Sequence, residues 1–394
     1  MTSEWRTIRA ADFIDFNPRL SLKKGDIATK VAMDKLKPFT KKIPETEKAE
    51  FNGGAKFCNG DTVMARITPC LENGKTAYVD MLDDGEIGFG STEFIVMRAK
   101  KGISDPQFVY YTAINPVFRN VAIKSMVGSS GRQRVQQSVL EELELSVPDL
   151  DEQRRIGDFL ARIDEKIALN DRINDNLEAT AQAIFQEQFA SYYGLSELPE
   201  GWKLTNLENL CTVKGGKRLP ADCELLNTPT NHPYIRVRDV GSSRYVCLTD
   251  QFQYIDEETH SAISRYIVNT GDIVISIVGT IGLIGKIHSS LDNANLTENC
   301  VKLAGIHTVT SDYLYYTLCY KKQIKEIELL TVGAVQSKLP MYNIQSMKIL
   351  VPPETVIREF QNRIDTFNGQ VEANTIEIQS LNELQQVLLA KLSG

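Results

Sequence analysis

The chain has 394 residues, of which 42% are apolar and 8% aromatic, with a formal net charge of −7. That length allows two or three domains with real cores. No run of about 18 apolar residues would make a membrane-spanning helix, so no membrane partner is expected. The opening MTSEWRTIRAADFIDF lacks a basic start followed by an apolar block, so no signal peptide is expected. Seven scattered cysteines without a C-x-x-C fit reduced thiols in a cytoplasmic protein.

The acid excess is unevenly placed. Residues 1–148 are net +2 and residues 201–351 net +1, whereas 149–200 are net −7 and 352–394 net −3. Two near-neutral globular stretches can carry local basic faces toward phosphates while acidic stretches face elsewhere.

Residues 1–148 are read as a first globular domain, opened by Trp5. Within it Lys56–Val79, KFCNGDTVMARITPCLENGKTAYV, reads as turn, strand, turn, strand. Gly60-Asp61 supplies the tight turn and the β-branched run after it the strand. Phe108–Tyr111 (FVYY) falls on a helix that follows the central sheet. Asn115-Pro116 is a stop signal for it. The loop SMVGSSGRQRV then offers Ser129, Ser130, Arg132, Gln133 and Arg134 on a glycine-flexed backbone. Arg and Gln are the side chains that read guanine and adenine edges, and Arg also clamps phosphate. The bland reading is an ordinary polar loop.

From Val147 the composition changes. VPDLDEQRRIGDFLARIDEKIALNDRINDNLEATAQAIFQEQF is polar, with a thin stripe at Ile156, Leu160, Ile163, Ile167, Asn170, Asn174, Leu177, Ala181 and Ile184. Steps of three and four make a heptad seam that calls for a second helix. About 38 helical residues would span roughly 57 Å. A helix with so narrow an apolar face is not expected in the core of a globular domain.

The rest of the chain repeats this plan. Val351-Pro352 repeats Val147-Pro148, and the second stripe runs Phe360, Ile364, Phe367, Val371, Asn374, Leu381, Leu388, in phase with the first. An asparagine kept in such a seam fixes register, because only one alignment lets buried amides meet. In the globular part Gly271-Asp272 repeats Gly60-Asp61, and Gly285-Lys286 is aligned with Gly74-Lys75. Thr297-Glu298 repeats Thr92-Glu93, Tyr313–Tyr316 (YLYY) repeats FVYY, and Gly333 in TVGAVQSKL repeats Gly128. Trp202 opens the second domain as Trp5 opens the first. The boundaries are therefore 1–148 (first globular domain), 149–195 (central helix), 196–351 (second globular domain) and 352–394 (distal helix). The fold class is α+β, two globular domains in tandem repeat separated by two long helices that pair as an antiparallel coiled coil with pseudo-twofold symmetry. Antiparallel pairing would carry the domains to opposite ends, with the helices as a ruler.

Further candidate DNA contacts are Lys75 and its aligned Lys286, Lys214, Lys217 and Arg218 in KGGKR, and Gln336, Ser337 and Lys338 in the second glycine loop. Arg236 and Arg238 in YIRVRDV alternate with apolar residues, so both would point from one sheet face; a solvated face is the bland alternative. Three enzyme-like patterns carry nothing. Asn115–Phe118 (NPVF) has no glycine-rich cofactor loop near it. Pro148-Asp149 with Asp164-Glu165-Lys166 mimics a nuclease pattern, but along one helix rather than on adjacent strands. Gly279, Gly282 and Gly285 lack a strand-to-helix context. The four histidines have no metal-ligand spacing, so no metal is expected.

In VPDLDEQRRIGDFLARID, LPEGWKLTNLENL, the two Gly-Asp strand blocks, the glycine loops and the late VPP-x-x-x-I-R-E-F copy, the chain resembles the specificity (S) subunit of type I restriction-modification enzymes. The resemblance implies two target-recognition domains, each reading half of a split double-stranded DNA site, with the helices setting the gap. It implies outer helix faces that bind two methyltransferase subunits, and restriction subunits joined through the complex. S-adenosylmethionine, ATP and Mg would belong to those partners, leaving this chain with no catalytic site and no cofactor. One departure is that Val356-Ile357 stands where the central copy has Glu152-Gln153, which predicts two inequivalent partner faces. The alternative of another class is a stand-alone coiled-coil scaffold without DNA readout; a third is a nuclease in its own right.

Overall fold

A computed structural model describes residues 5–129, 131–241, 243–249, 251–333 and 337–392. The chain divides into two compact units. One is made of residues 1–169 with 377–394, the other of 170–376. Each long helix therefore contributes one half to each unit. The central helix runs Leu150–Phe189 and the distal helix Glu354–Lys391.

In the first unit, strand Arg6–Arg9 pairs antiparallel with Glu144–Val147, with Arg6 opposite Val147. The two ends of the domain are thus tied together where the central helix starts. A four-stranded antiparallel sheet follows the order Ile14–Phe16, Phe94–Ala99, Thr62–Ala65, Thr76–Tyr78. A second runs Glu47–Glu50, Ile27–Val31, Gly88–Gly90, Ala55–Phe57, with one parallel pair. Phe13, Met64, Ile95, Met97 and Phe108 fill the space between the first sheet and the helices.

Helix Pro106–Ile114 carries FVYY, as the sequence predicts. Asp105 caps it by accepting from the Phe108 N–H, and Pro106 sits in its first turn, where no intrahelical N–H bond is lost. Asn115 ends this helix and caps the next, Pro116–Lys124.

The second unit repeats the plan. Lys203–Asn206 pairs with Lys348–Val351. Its main sheet runs Thr212–Gly215, Cys300–Ala304, Ile273–Ser276, Ile284–Ile287, Tyr245–Val246, the last pair parallel, and YLYY lies on helix Ser311–Leu318. The Gly-Asp turns match in detail. Asp61 accepts from the Cys58 N–H and Asp272 from the Asn269 N–H, each three residues back. Each also meets a cation on the neighbouring strand: Arg98 at 2.7 Å and Lys302 at 3.7 Å. Gly60 and Gly271 sit at φ +91° and +84°, the left-handed region that a side chain disfavours.

The hairpin register corrects one alignment. Thr62 lies opposite Tyr78, and Ile273 opposite Lys286. Lys286 therefore takes the place of Tyr78, not of Lys75. The connection spans residues 66–75 in the first unit and 277–283 in the second, a difference of three that a gapless alignment of the two glycines conceals.

The two helices run antiparallel in both units. In the first, Lys166 pairs with Glu377 at 3.0 Å and Asp164 accepts from Gln385 at 2.7 Å. Leu160, Ile163 and Leu389 are buried there beside Ile156, Ile167, Leu381 and Leu388. In the second, Arg363 pairs with Glu187 at 2.8 Å, and Asn374 Nδ2 donates to Asn174 Oδ1. The amide opposite Asn374 is thus Asn174; Asn170 is buried one turn away.

Ile364 and Val371 are buried and Leu177, Ile184 and Phe367 half-buried, as a seam requires. The stripe is broader than two positions in seven, however. Ala181, Phe185 and Phe189 are fully buried, and the two phenylalanines pack on Tyr313 and Phe360. Each helix half faces both its helical partner and its own domain, so it does enter a globular core.

Candidate nucleic-acid interface

The glycine loop of the first unit is a tight hairpin. Val127 and Arg134 exchange backbone hydrogen bonds at 3.0 and 2.9 Å, and the Arg132 N–H closes a turn onto the Ser129 carbonyl at 2.9 Å. Gly128 has φ +138°, and a Cβ there would stand 2.8 Å from the Arg132 carbonyl oxygen, so only glycine fits. Val135 anchors the loop in the core, and the Thr68 N–H bonds the Gln133 carbonyl at 3.0 Å, holding the loop to the end of strand Thr62–Ala65. Ser129, Arg132 and Arg134 are exposed and Gln133 half-buried; Ser130 lies outside the described residues.

The second unit builds the same frame. Val332 and Lys338 exchange bonds at 2.9 and 2.8 Å, Gly333 has φ +107°, and Leu339 is the buried anchor. Arg134 also bridges Ile67, and Lys338 bridges Val278, so the two cations are structural equivalents. Ser337 and Lys338 are exposed; Gln336 lies outside the described residues.

A carboxylate accompanies each loop region. Glu93 accepts from Arg134 Nε at 3.0 and 2.9 Å and from Nη2 at 2.6 Å. That bond holds the Glu93 carboxyl below its ordinary range. Glu298 accepts instead from Arg218 Nε at 2.7 Å. Burial pushes the Glu298 carboxyl up, and the Arg218 bond with other donors outweighs it, so the net direction is down.

Arg218 sits in a loop that closely follows the strand Thr212–Gly215. A Cβ on Gly216 would stand 2.0 Å from the Thr297 carbonyl oxygen, so this backbone can lie against the turn only as glycine. Tyr234 donates to the Lys217 carbonyl at 2.8 Å, and Lys217 Nζ stands 5.7 Å from the Tyr266 ring centroid. Lys214 and Lys217 are exposed.

Four candidates are placed otherwise than the sequence suggests. Lys286 is 13% exposed and bonded to Asp312, inside the domain–helix joint. Lys75 donates to the Met33 carbonyl at 2.9 Å. Arg236 and Arg238 do not share a strand face, because the strand ends at Ile235 and a 3-10 turn, Val237–Asp239, follows. Arg236 folds back onto Asp239 at 2.9 Å and onto Gln253, while Arg238 remains exposed.

The first unit also carries a concavity. It is lined by Asn17, Arg19, Lys56, Arg66, Thr92 and Phe94, among others. Lys56 is held by the Leu20 carbonyl at 2.9 Å, whereas the buried Nε of Arg66 meets no hydrogen-bond partner among the described residues. The Arg66 N–H bonds the Glu93 carbonyl, so this cation adjoins the Glu93–Arg134 pair. A lone arginine at a strand end gives no signal in sequence; only the fold brings it beside the glycine loop.

The nuclease-like residues are occupied structurally. Asp164 accepts from Tyr111 and Gln385, and Lys166 pairs with Glu377.

Comparison with known proteins gives a consistent answer. The model for the type I restriction modification DNA specificity domain matches twice, over residues 3–179 and 199–388. The type I restriction enzyme HindI specificity subunit of Haemophilus influenzae is 22% identical over 406 residues, covering 84% of this chain and 85% of that protein. The MjaVIII specificity subunit of Methanocaldococcus jannaschii is 19% identical, covering 98% and 91%. The MjaIX subunit of the same organism is 21% identical, and there the match spans 64% of the relative's length, less than two thirds. The crystal structure of a type I restriction-modification S subunit from M. genitalium has the same fold, with a TM-score of 0.54 at 17% identity over 100% of this chain and 97% of that one.

Proposed function

This chain belongs to the type I restriction-modification DNA specificity family, and we propose from that premise that each of its two units reads one half of a bipartite duplex site. Members of this family act as the non-catalytic DNA-recognition subunit; the assembled complex is the enzyme. The observation that carries the reading is the duplicated loop frame, Val127–Arg134 and Val332–Lys338, which puts exposed cations at one place in both units. A scaffold that bound only proteins would have no use for two such basic loops beside gripped arginines.

The two methyltransferase subunits dock on the outer faces of the helices. Those faces are acidic, and in the first unit they expose Phe159, Leu384 and Val387, apolar side chains of the kind a partner covers. S-adenosylmethionine, ATP and Mg belong to the methyltransferase and restriction subunits, which join through the complex.

The test is methylation mapping with this chain and its methyltransferase subunits co-expressed. One split sequence should be modified throughout the genome, and binding should fall steeply with salt, log K changing by about 0.9 per phosphate contact per tenfold salt. Modification without sequence preference would sink the reading.

A further inference from the structure

In each unit a glutamate in the turn entering the same strand grips an arginine, but the arginine comes from a different loop. Glu93 precedes strand Phe94–Ala99 and holds Arg134, from the loop after helix Pro116–Lys124. Glu298 precedes strand Cys300–Ala304 and holds Arg218, from the loop after strand Thr212–Gly215. The two cations converge on one place in the fold by separate routes. That coincidence points to a demand for a fixed guanidinium there, since neither loop inherits it from the other.

The geometry leaves the useful edge of each guanidinium outward. Glu93 takes Nε and Nη2 of Arg134, so Nη1 and the second Nη2 hydrogen face away from it, and the side chain is 46% exposed. Glu298 takes only Nε of Arg218, which is 82% exposed. An arginine fork of this kind matches the O6 and N7 acceptors of guanine in the major groove. The carboxylate also argues against a phosphate as the ligand, because a glutamate beside the cation repels the backbone and cancels much of its charge. A base edge carries no full charge, so the same glutamate costs little there and holds the arginine in its reading rotamer before DNA arrives.

We propose that Arg134 and Arg218 each read a guanine in the half-site of their own unit, with Glu93 and Glu298 as positioning residues. This rests on the reading of each unit as a half-site reader. Because the arginines come from different loops, the two half-sites are not read by duplicate contacts.

The experiment uses the full complex with its methyltransferase subunits and a library that substitutes every base pair of both half-sites in turn. R134K keeps the charge and loses the fork. It should relax discrimination at one G·C pair of one half-site by about ten- to a hundredfold, with affinity for other positions kept. E93Q should relax the same pair less, and E93Q/R134K no more than R134K alone. R218K and E298Q should do the same at a pair of the other half-site. Equal weakening across the library in R134K and R218K would mark phosphate contacts and overturn the inference, as would unchanged discrimination. Relaxation in R134K with none in E93Q would overturn the positioning role. A wild-type complex that shows no sequence preference would overturn the half-site reading itself, and this inference with it.

Discussion

Asn374 donates its side-chain amide to Asn174 across the two long helices, at 2.8 Å, with Asn374 5% exposed. Such an amide pair, with Asn374 buried and Asn174 half-buried, contributes little net stability but penalises other registers, since a slipped helix would leave the buried amide without its partner. Replacing Asn374 alone with Leu should cost the second unit about 1 kcal/mol, because Asn174, half-buried, and Gln370 both lose their amide partner. The double change N174V/N374V should restore most of that loss or exceed the wild type. Urea unfolding checks it, and equal losses in the single and double variants would show that the pair does not couple.

Arg244 carries a larger share of the second unit. Its guanidinium is buried and bonded to Glu178 and Tyr316 at 3.2 Å each, and to Asp312 and Asn368. It thereby ties the domain to both long helices at once. Removing it leaves Glu178 without its cation and Asp312 with Lys286 alone, so R244M should cost about 3 kcal/mol. Hydrogen exchange should locate the loss in helix Ser311–Leu318 and in the strand Ile284–Ile287. A loss spread evenly over both units would contradict this account.

The sequence shows the duplication, the helices and the Gly-Asp turns because each is a local pattern: a period, a cap or a turn residue. What it hides depends on long-range packing. Gln153 is an example. Against Ile357 in the second copy, its sequence position predicts a difference between partner faces. The structure buries it completely, where its amide accepts from the Asp105 N–H and donates to the Ile103 and Pro148 carbonyls. Ile357 is buried too, among the apolar core of the second unit. At this one position of the two that differ, the change concerns how each domain is joined to its helix, by amide bonds in one and apolar contact in the other. Arg134 was legible as a basic loop residue; its grip by Glu93, 41 positions away, was not.

Asp164 and Asp312, which each tie a domain to a long helix, should respond differently to mild acid. Burial raises the Asp164 carboxyl above its ordinary range, despite bonds from Tyr111 and Gln385. Burial also pushes Asp312 up, but Arg244 and Lys286 bring it below the ordinary range. A raised carboxyl binds its proton more readily folded than unfolded, so the first unit should gain stability, relative to D164N, as pH falls toward the folded value. Asp312 contributes fully above the usual carboxylate range and loses its contribution as pH falls below that range and through its own lower value, so it should not respond to mild acid. Hydrogen exchange corrected for intrinsic rates, measured in helix Pro106–Ile114 and helix Ser311–Leu318 between neutral and mildly acid pH, separates them. Parallel pH responses in both helices would count against these assignments.

Gly128 offers a test of the loop that leaves the core alone. Its φ of +138° is costly for any side chain, and an added Cβ would press on the Arg132 carbonyl at 2.8 Å. The loop is exposed around it, so relaxation is local and global stability should fall by about 1 kcal/mol or less. The displaced residues would be the exposed Arg132 and the half-buried Gln133. G128A should therefore weaken binding to the half-site of the first unit while the second half-site keeps its selectivity. The matching change G333A, at φ +107°, should reverse the pattern. Melting curves close to wild type with half-site-specific loss would support the loop as the reading element, whereas wild-type binding in both variants would exclude it.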